Sequence, residues 1–113
     1  MKTSYFANRK AAADPNAVSI ARWPPRWWRG RRYIALAPSA DLLRLSKAGL
    51  PWDEFVIEFQ RHVLDKLDPA KVLADLGPEA ILLCWEKPGD DCHRHLVAKW
   101  LEKHLDIKVD ELK

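Results

Sequence analysis

The chain has 113 residues, of which 48% are hydrophobic and six are tryptophan, and its formal net charge is +3. This length allows one hydrophobic core, and the apolar content excludes an intrinsically disordered chain. No apolar run reaches the roughly 20 residues of a membrane helix, and the first residues lack a hydrophobic signal core. Neither of the two cysteines is placed as half of an obvious disulfide. We therefore expect a single domain over residues 1–113, in the reducing cytoplasm and without membrane association.

The first half of the chain predicts strands followed by a helix. Pro24 and Pro25 end the second of these strands, because proline cannot donate to a strand ladder. Ser39 is placed to cap the helix N-terminus. The predicted elements are a strand at 3–7, a stronger strand at 17–21, a loop or short strand at 33–36, and a helix from Ser39 to Gly49.

The second half predicts helices around one buried strand. Phe55, Phe59 and Val63 recur every four residues, which is typical of an amphipathic helix. The predicted elements are helices at 51–67, 70–76 and 92–105, a buried strand at 80–85 and a short strand at 107–109. Because strands alternate with helices, we expect one small α/β domain with a mainly parallel sheet of about three to four strands, flanked by helices.

Positive charge is concentrated early in the chain. Residues 1–50 carry ten Lys/Arg and two Asp/Glu, whereas residues 51–113 carry nine and fourteen. The Arg/Trp segment, residues 22–33, contains five arginines and three tryptophans. Stacking surfaces interleaved with cations favour single-stranded nucleic acid or a nucleotide, with Trp27, Trp28 and Arg29 as contacts. The alternative is that these tryptophans cover the core, and we expect at least one of them to pack inward.

A second feature follows the buried strand. The apolar run ends at Glu86, a tight loop follows, and a helix then begins with Cys92-His93-Arg94. The junction between a strand end and a helix N-terminus is where open α/β sheets bind ligands, and helix N-termini attract anions. This junction is therefore the predicted functional centre.

Each side chain there has a predicted role. The helix start and adjacent cations favour Cys92 as a nucleophile, with His93 as its base. Arg94, with Arg22 at the end of the earlier strand, would clamp a phosphate. Glu86 would act as a general base or accept a ribose hydroxyl, the alternative being a structural salt bridge between Glu86 and Arg94.

A metal site formed by the cysteines and histidines of this region is not favoured by the sequence. Cys84 lies inside the buried run and is expected to be a core residue. No Cys-x2-Cys or His-x3-His pair occurs in the chain, although zinc ligands usually come in such pairs. We therefore predict no metal ligands and no cofactor.

These motifs resemble a known family. The chain resembles the family named domain of unknown function 488 in two motifs. The first is Cys84-Trp85-Glu86 followed by Cys92-His93-Arg94. The second is an early strand that leads into Arg22-Trp23-Pro24. The similarity covers roughly residues 3–105. Ser19 stands where many members carry aspartate. The resemblance implies a compact α/β fold and supplies no settled activity.

Three functions remain open from the sequence. The first is binding of a phosphate-bearing ligand, either a nucleotide or nucleic acid, with or without an enzymatic activity directed at it. The second is a non-enzymatic protein-interaction module that uses the Arg/Trp segment. The third is a thiol enzyme based on Cys92. The oligomeric state does not follow from the sequence.

Overall fold

The computed structural model describes residues 1–113 and contains one sheet of five parallel strands flanked by helices. The strands are β1 (Lys2–Tyr5), β2 (Ala17–Ser19), β3 (Arg31–Arg32), β4 (Ile81–Cys84) and β5 (Asp110–Glu111). The helices are α1 (Arg9–Ala12), α2 (Ala40–Lys47), α3 (Trp52–His62), α4 (Pro69–Leu76) and α5 (His93–Leu105). Two short 3-10 turns lie at Ile34–Leu36 and Leu64–Lys66. The predicted α/β class is thereby confirmed.

The strand order β3-β2-β4-β1-β5 places β4 at the centre of the sheet. Val18 and Thr3 both pair with Leu82 of β4, one from each side. After β2 the chain leaves the sheet toward β3, and after β4 it leaves in the opposite direction toward β5. A crevice therefore opens between the carboxyl ends of β2 and β4, which is the switch point at which such sheets bind ligands.

Strand β4 supplies both faces of the core, because successive side chains of a strand point to opposite faces. Leu82 and Cys84 belong to the larger apolar cluster, which contains the aromatic and aliphatic side chains of α3 and α5. Ile81 and Leu83 belong to a smaller cluster on the other face. All four β4 residues are buried, as the continuous apolar run predicts.

Side-chain caps fix the starts of two helices, and the cap at Ser39 agrees with the sequence prediction. The Ser39 hydroxyl accepts a hydrogen bond from the Leu42 amide at 3.0 Å, and the Asp68 carboxylate accepts one from the Ala70 amide at 3.0 Å. These bonds satisfy amide groups that the first turn of a helix leaves without partners. The starts of α2 and α4 are therefore fixed by their own cap residues.

Some element predictions are wrong in detail. Helix α3 ends at His62 rather than at residue 67, and a 3-10 turn that buries Leu64 follows it. The last strand lies at Asp110–Glu111 rather than at 107–109, because Val109 packs into the core and its amide donates to Glu102. Neither the four-residue helix α1 nor the two-residue strand β3 has a distinctive sequence pattern.

No helix combines the length and the apolar character that a membrane crossing requires.

Gly30 lies against the ring of Trp28. A Cβ at this position would lie 2.5 Å from Cζ2 of Trp28. Trp28 is itself buried, 3% exposed, and donates from Nε1 to the carbonyl of Arg31 at 3.1 Å. The indole therefore has little freedom to move away. We predict that Gly30→Ala lowers the free energy of unfolding by about 1–3 kcal/mol, as overpacking does, in urea titrations followed by circular dichroism.

The control is the same change in a Trp28→Phe background. Phenylalanine has a single ring, so it lacks the outer part of the indole, including Cζ2, that the new methyl group would meet. The cost of Gly30→Ala should fall in that background, and an equal cost in both backgrounds would contradict the steric explanation.

Candidate functional site

A cavity of about 590 Å³ occupies the crevice between the carboxyl ends of β2 and β4. One wall is residues 21–26, which follow β2, and the opposite wall is residues 84–86 with the start of α5. The third side comes from the segment that contains α2 and α3. Its lining residues there are Pro38, Leu43, Ser46, Lys47, Trp52 and Phe55. The predicted convergence of the early and late strands at one site is therefore correct in placement.

The open part of the cavity is cationic and aromatic. Its cations are Arg22, Arg26 and Lys47. Arg22 is held in place because its Nε donates to the carbonyl of Pro38 at 2.7 Å, which leaves its terminal nitrogens for other partners. Trp23 and Trp85 are 55% and 53% exposed, so both rings have a free surface.

The two tryptophans also join the opposite walls. The indole Nε1–H of Trp85 donates to the backbone carbonyl of Trp23 at 2.9 Å. This hydrogen bond connects the segment after β2 to the segment after β4. The indole ring of Trp85 is thus fixed across the mouth of the cavity.

The inner end of the cavity is formed by Cys84, Cys92 and His93, and all three are buried. Cys84 and Cys92 form a disulfide, with their Cα atoms 7.3 Å apart. The expectation that the cysteines are not paired is therefore wrong. The sequence does not show this proximity, because it depends on β4 ending beside the start of α5 rather than on spacing along the chain. Cys84 is a buried core residue as predicted.

The imidazole of His93 has a defined orientation. Its Nε2 lies 2.8 Å from the carbonyl oxygen of Ile20, and a carbonyl can only accept, so Nε2 carries the proton. Nδ1 then has the lone pair and lies 3.8 Å from Sγ of Cys92. Burial lowers the pKa of His93 to about 4; the Ile20 hydrogen bond partly opposes this, and the charge of Arg94 adds to it. His93 is consequently neutral at pH 7.

This geometry bears on the thiol-enzyme hypothesis. His93 does lie beside Cys92, as that hypothesis requires. A buried imidazole with a pKa of about 4 is a poor acceptor for a proton from a thiol, whose ordinary pKa is about 8.5. Cys92 is disulfide-bonded and has no thiol in this structure, and the low pKa of His93 disfavours it as a general base for the reduced cysteine.

Arg94 is completely buried and does not line the cavity. Its Nε and Nη2 donate to the carboxylate of Glu111, at 3.0 and 2.7 Å for the shortest contacts. Its Nη1 donates to the backbone oxygen of Glu86 at 2.7 Å and contacts Sγ of Cys84 at 3.1 Å. The predicted phosphate clamp thus has its donors occupied by protein groups. The structural salt bridge weighed for Arg94 exists, with Glu111 as the carboxylate partner in place of Glu86.

Glu86 lies at the predicted position. Its side chain is exposed and lines the cavity together with Asp91. Its backbone carbonyl, rather than its carboxylate, is what binds Arg94. The carboxylate is therefore free to accept a hydrogen bond from a hydroxyl group of a bound molecule, or to take up a proton from it.

The Arg/Trp segment is divided between three locations. Trp28 is buried in the smaller core cluster, so one tryptophan packs inward as expected, and this ring has no free face for a base. Trp27 is 56% exposed and lines a separate hollow with Phe6 and Arg9. Arg29 is exposed, and its guanidinium donates to the carbonyl of Arg26. None of Trp27, Trp28 and Arg29 lines the cavity.

Several site residues were not anticipated. Lys47 and Trp52 reach the cavity from α2 and α3, and no local pattern marks them. Trp85 is exposed directly after the buried strand β4, and a tryptophan at such a position is itself a signal of a binding surface. Glu111 lies in a two-residue strand with no distinctive sequence, so its ion pair with Arg94 requires the fold.

The burial of His93 gives a pH prediction. An unfolded histidine binds a proton near pH 6.5, whereas folded His93 resists protonation until about pH 4. Between these values the unfolded state holds more protons, so stability should fall as the pH falls from about 6.5 to about 4. The loss attributable to His93 is at most about 3 kcal/mol.

Long-range ¹⁵N–¹H NMR spectra test this directly. His93 should show the Nε2–H tautomer at pH 7 and no protonation above pH 5. A titration midpoint near 6.5 would contradict the buried, neutral imidazole. The signals of the exposed His62 and His104 provide internal chemical-shift references.

The buried ion pair gives a second prediction. Partial burial would raise the pKa of Glu111, but hydrogen bonds from Arg94 and Thr3 outweigh it and hold that pKa below its ordinary value. Glu111→Gln leaves the guanidinium of Arg94 buried without a countercharge. We expect a loss of roughly 3–5 kcal/mol of unfolding free energy at pH 7, measured by urea denaturation.

Asp110→Asn is the matched control, because Asp110 is the exposed neighbour in β5 and should cost less than about 1 kcal/mol. The advantage of wild type over Glu111→Gln should diminish as the pH falls below 4.5, where unfolded glutamate becomes protonated. Equal stability of the two variants would show that the ion pair is unimportant.

Comparison with known proteins gives one result. The model of DUF488-N3a, described as the active DUF488-N3 subclade, matches residues 2–105. No curated protein and no solved structure matches the chain. The matched region includes the Cys84–Glu86 strand end, the Cys92-His93-Arg94 helix start and every residue that lines the cavity. The chain therefore belongs to the DUF488 family of domains of unknown function.

Proposed function

We propose that the cavity between β2 and β4 binds a small phosphate-bearing ligand with an aromatic base, that is, a nucleotide. The observation that carries the proposal is that cations and exposed tryptophans line one cavity at the switch point of the sheet. A volume of about 590 Å³ falls within the range of cavities that hold cofactor-sized molecules.

The phosphate would bind to Arg22, Arg26 and Lys47. The Nε of Arg22 is anchored on Pro38, so the guanidinium presents its remaining nitrogens without a large entropic loss on binding. A planar guanidinium matches two phosphate oxygens, and a lysine adds a mobile point charge. Arg94 would act only indirectly. Its Nη1 donates to the backbone oxygen of Glu86 at 2.7 Å, which holds the end of β4 against the start of α5.

The base would stack on Trp85 or Trp23. Stacking of a base on an aromatic side chain contributes about 1–3 kcal/mol and tolerates any base. Trp85 is held by its hydrogen bond to the Trp23 carbonyl, so its free ring face is preorganised. Glu86, exposed at the same edge, would accept a ribose hydroxyl.

A protein-interaction function is the second candidate, and one observation favours it. Trp27 exposes 56% of its surface beside Phe6 and Arg9, on a hollow separate from the main cavity. Exposed tryptophan with a neighbouring arginine is typical of interaction hot spots. This surface is independent of the nucleotide proposal.

The test is a thermal-shift titration of the full chain with adenosine monophosphate, adenosine and inorganic phosphate. The monophosphate should raise the melting temperature more than either of the other compounds, and the shift should decrease with added salt. Arg22→Ala and Lys47→Ala should each weaken binding by about tenfold, the effect of one lost charged contact of roughly 1.4 kcal/mol.

Arg32→Ala is the matched control, since Arg32 is exposed in β3 and does not line the cavity. Equal weakening by Arg32→Ala would indicate general charge attraction instead of a site. A short single-stranded DNA or RNA that shifts the melting temperature when the monophosphate does not would identify nucleic acid as the ligand. No shift with any of these compounds would refute the proposal.

A further inference from the structure

The inner end of the cavity carries a cluster of sulfur and nitrogen atoms. Three potential metal-binding atoms meet there: Sγ of Cys84, Sγ of Cys92 and a ring nitrogen of His93, all within 4.8 Å of one another. All three side chains are buried, and all three line the cavity. We propose that Cys84, Cys92 and His93 bind one Zn²⁺ ion in the reduced protein, with a fourth coordination position open to the cavity.

The two cysteines form a disulfide in the structure, and their wide backbone separation leaves room for a metal between the sulfurs once that bond is reduced. The Cα atoms of Cys84 and Cys92 are 7.3 Å apart, whereas disulfides usually join Cα atoms separated by about 4.4–6.8 Å. Two zinc–sulfur bonds of about 2.3 Å each bridge a longer gap than one sulfur–sulfur bond. The 3.8 Å between Sγ of Cys92 and Nδ1 of His93 is close to the roughly 3.6 Å edge of a tetrahedral zinc site with such ligands.

The histidine is prepared for metal binding by its second hydrogen bond. Metal-ligating histidines usually donate their other ring N–H to a carbonyl or carboxylate, which fixes the tautomer. Here Nε2 bonds to the Ile20 carbonyl at 2.8 Å, and Nδ1 faces Cys92 with its lone pair.

The surrounding charges suit two thiolates. Nη1 of Arg94 lies 3.1 Å from Sγ of Cys84, where it stabilises the deprotonated sulfur that a metal requires. Two thiolates balance Zn²⁺, and Glu111 balances Arg94. On binding, the two thiol protons leave to solvent, and no oxidant or reductant takes part.

The ligand set also points to the kind of site. Two cysteines and one histidine constitute three protein ligands, and zinc sites with three protein ligands keep a position for water or a bound molecule. Thiolate and imidazole select Zn²⁺ over Mg²⁺ or Ca²⁺, which prefer oxygen ligands. The open position would face the space between Arg22 and Trp85. The metal site depends on these three side chains alone and does not require the proposed nucleotide.

The experiment begins with the full chain purified under reducing conditions. Mass spectrometry of the metals should find about one zinc per chain, as expected for one site with three protein ligands. Replacement by Co²⁺ should give thiolate-to-cobalt charge-transfer absorption and the visible bands of tetrahedral cobalt. Both signals should disappear on addition of Zn²⁺, and this measurement needs no variant.

Variants then assign the ligands. Cys92→Ser and Cys84→Ser should each lower zinc content at least tenfold and remove part of the charge-transfer band, as loss of one of three ligands does. His93→Gln should lower the zinc content. Its cobalt–thiolate absorption should persist, because both cysteines remain, but at a shifted wavelength. The control is His95→Gln, because His95 is the neighbouring histidine outside the cluster and its loss should leave zinc content unchanged.

The opposing result is equally measurable. If intact-mass analysis shows the two-hydrogen loss of a disulfide, and the fully reduced chain takes up neither zinc nor cobalt with thiolate absorption, the site is a disulfide and the proposal is wrong. Zinc that persists undiminished in the Cys84, Cys92 and His93 variants, once circular dichroism shows them folded, would overturn it as well.

Discussion

The buried guanidinium of Arg94 is the constraint on which the arrangement of the site depends. Its side chain is fully excluded from water, so its charge and its donors must be matched by protein groups. Glu111 supplies the countercharge from β5, and the Glu86 carbonyl and the Cys84 sulfur receive Nη1. Because these partners come from separate elements, one side chain sets where α5 begins relative to β4. Cys92 and His93 face the cavity as a consequence.

Much of the fold is predictable because local signals and burial agree. The continuous apolar run identifies β4, and Ser39 and Asp68 identify two helix starts. By contrast, β3 consists of Arg31 and Arg32, which are both exposed and have no apolar pattern. Its strand pairing with β2 comes from tertiary contacts that a window of sequence does not contain. The prediction of the last strand at 107–109 is wrong for the same reason, because the burial of Val109 in the core sets where that strand begins.

The site was predictable in location and less so in its residues. Strand-end and helix-start rules correctly bring Arg22, Glu86, Cys92 and His93 to one cavity. The assignment of Arg94 to a ligand depended on its charge, and charge does not indicate the direction of a side chain. The same limit applies to Trp27 and Trp28, which are adjacent in sequence yet face solvent and core respectively. The proximity of Cys84 to Cys92 depends on the path of the loop between them. The length of that loop does not indicate its path.

The alternation of β4 has a consequence for how sequences of this fold can change. Leu82 and Cys84 share one face, and Ile81 and Leu83 share the other. Insertion of one residue into β4 would exchange the two faces and turn the thiol away from the helix that carries Cys92. The exposed loop at residues 85–91 has no such parity rule. Substitutions and length changes should therefore accumulate in that loop, so that new ligand contacts can evolve while the sulfur and imidazole atoms keep their places.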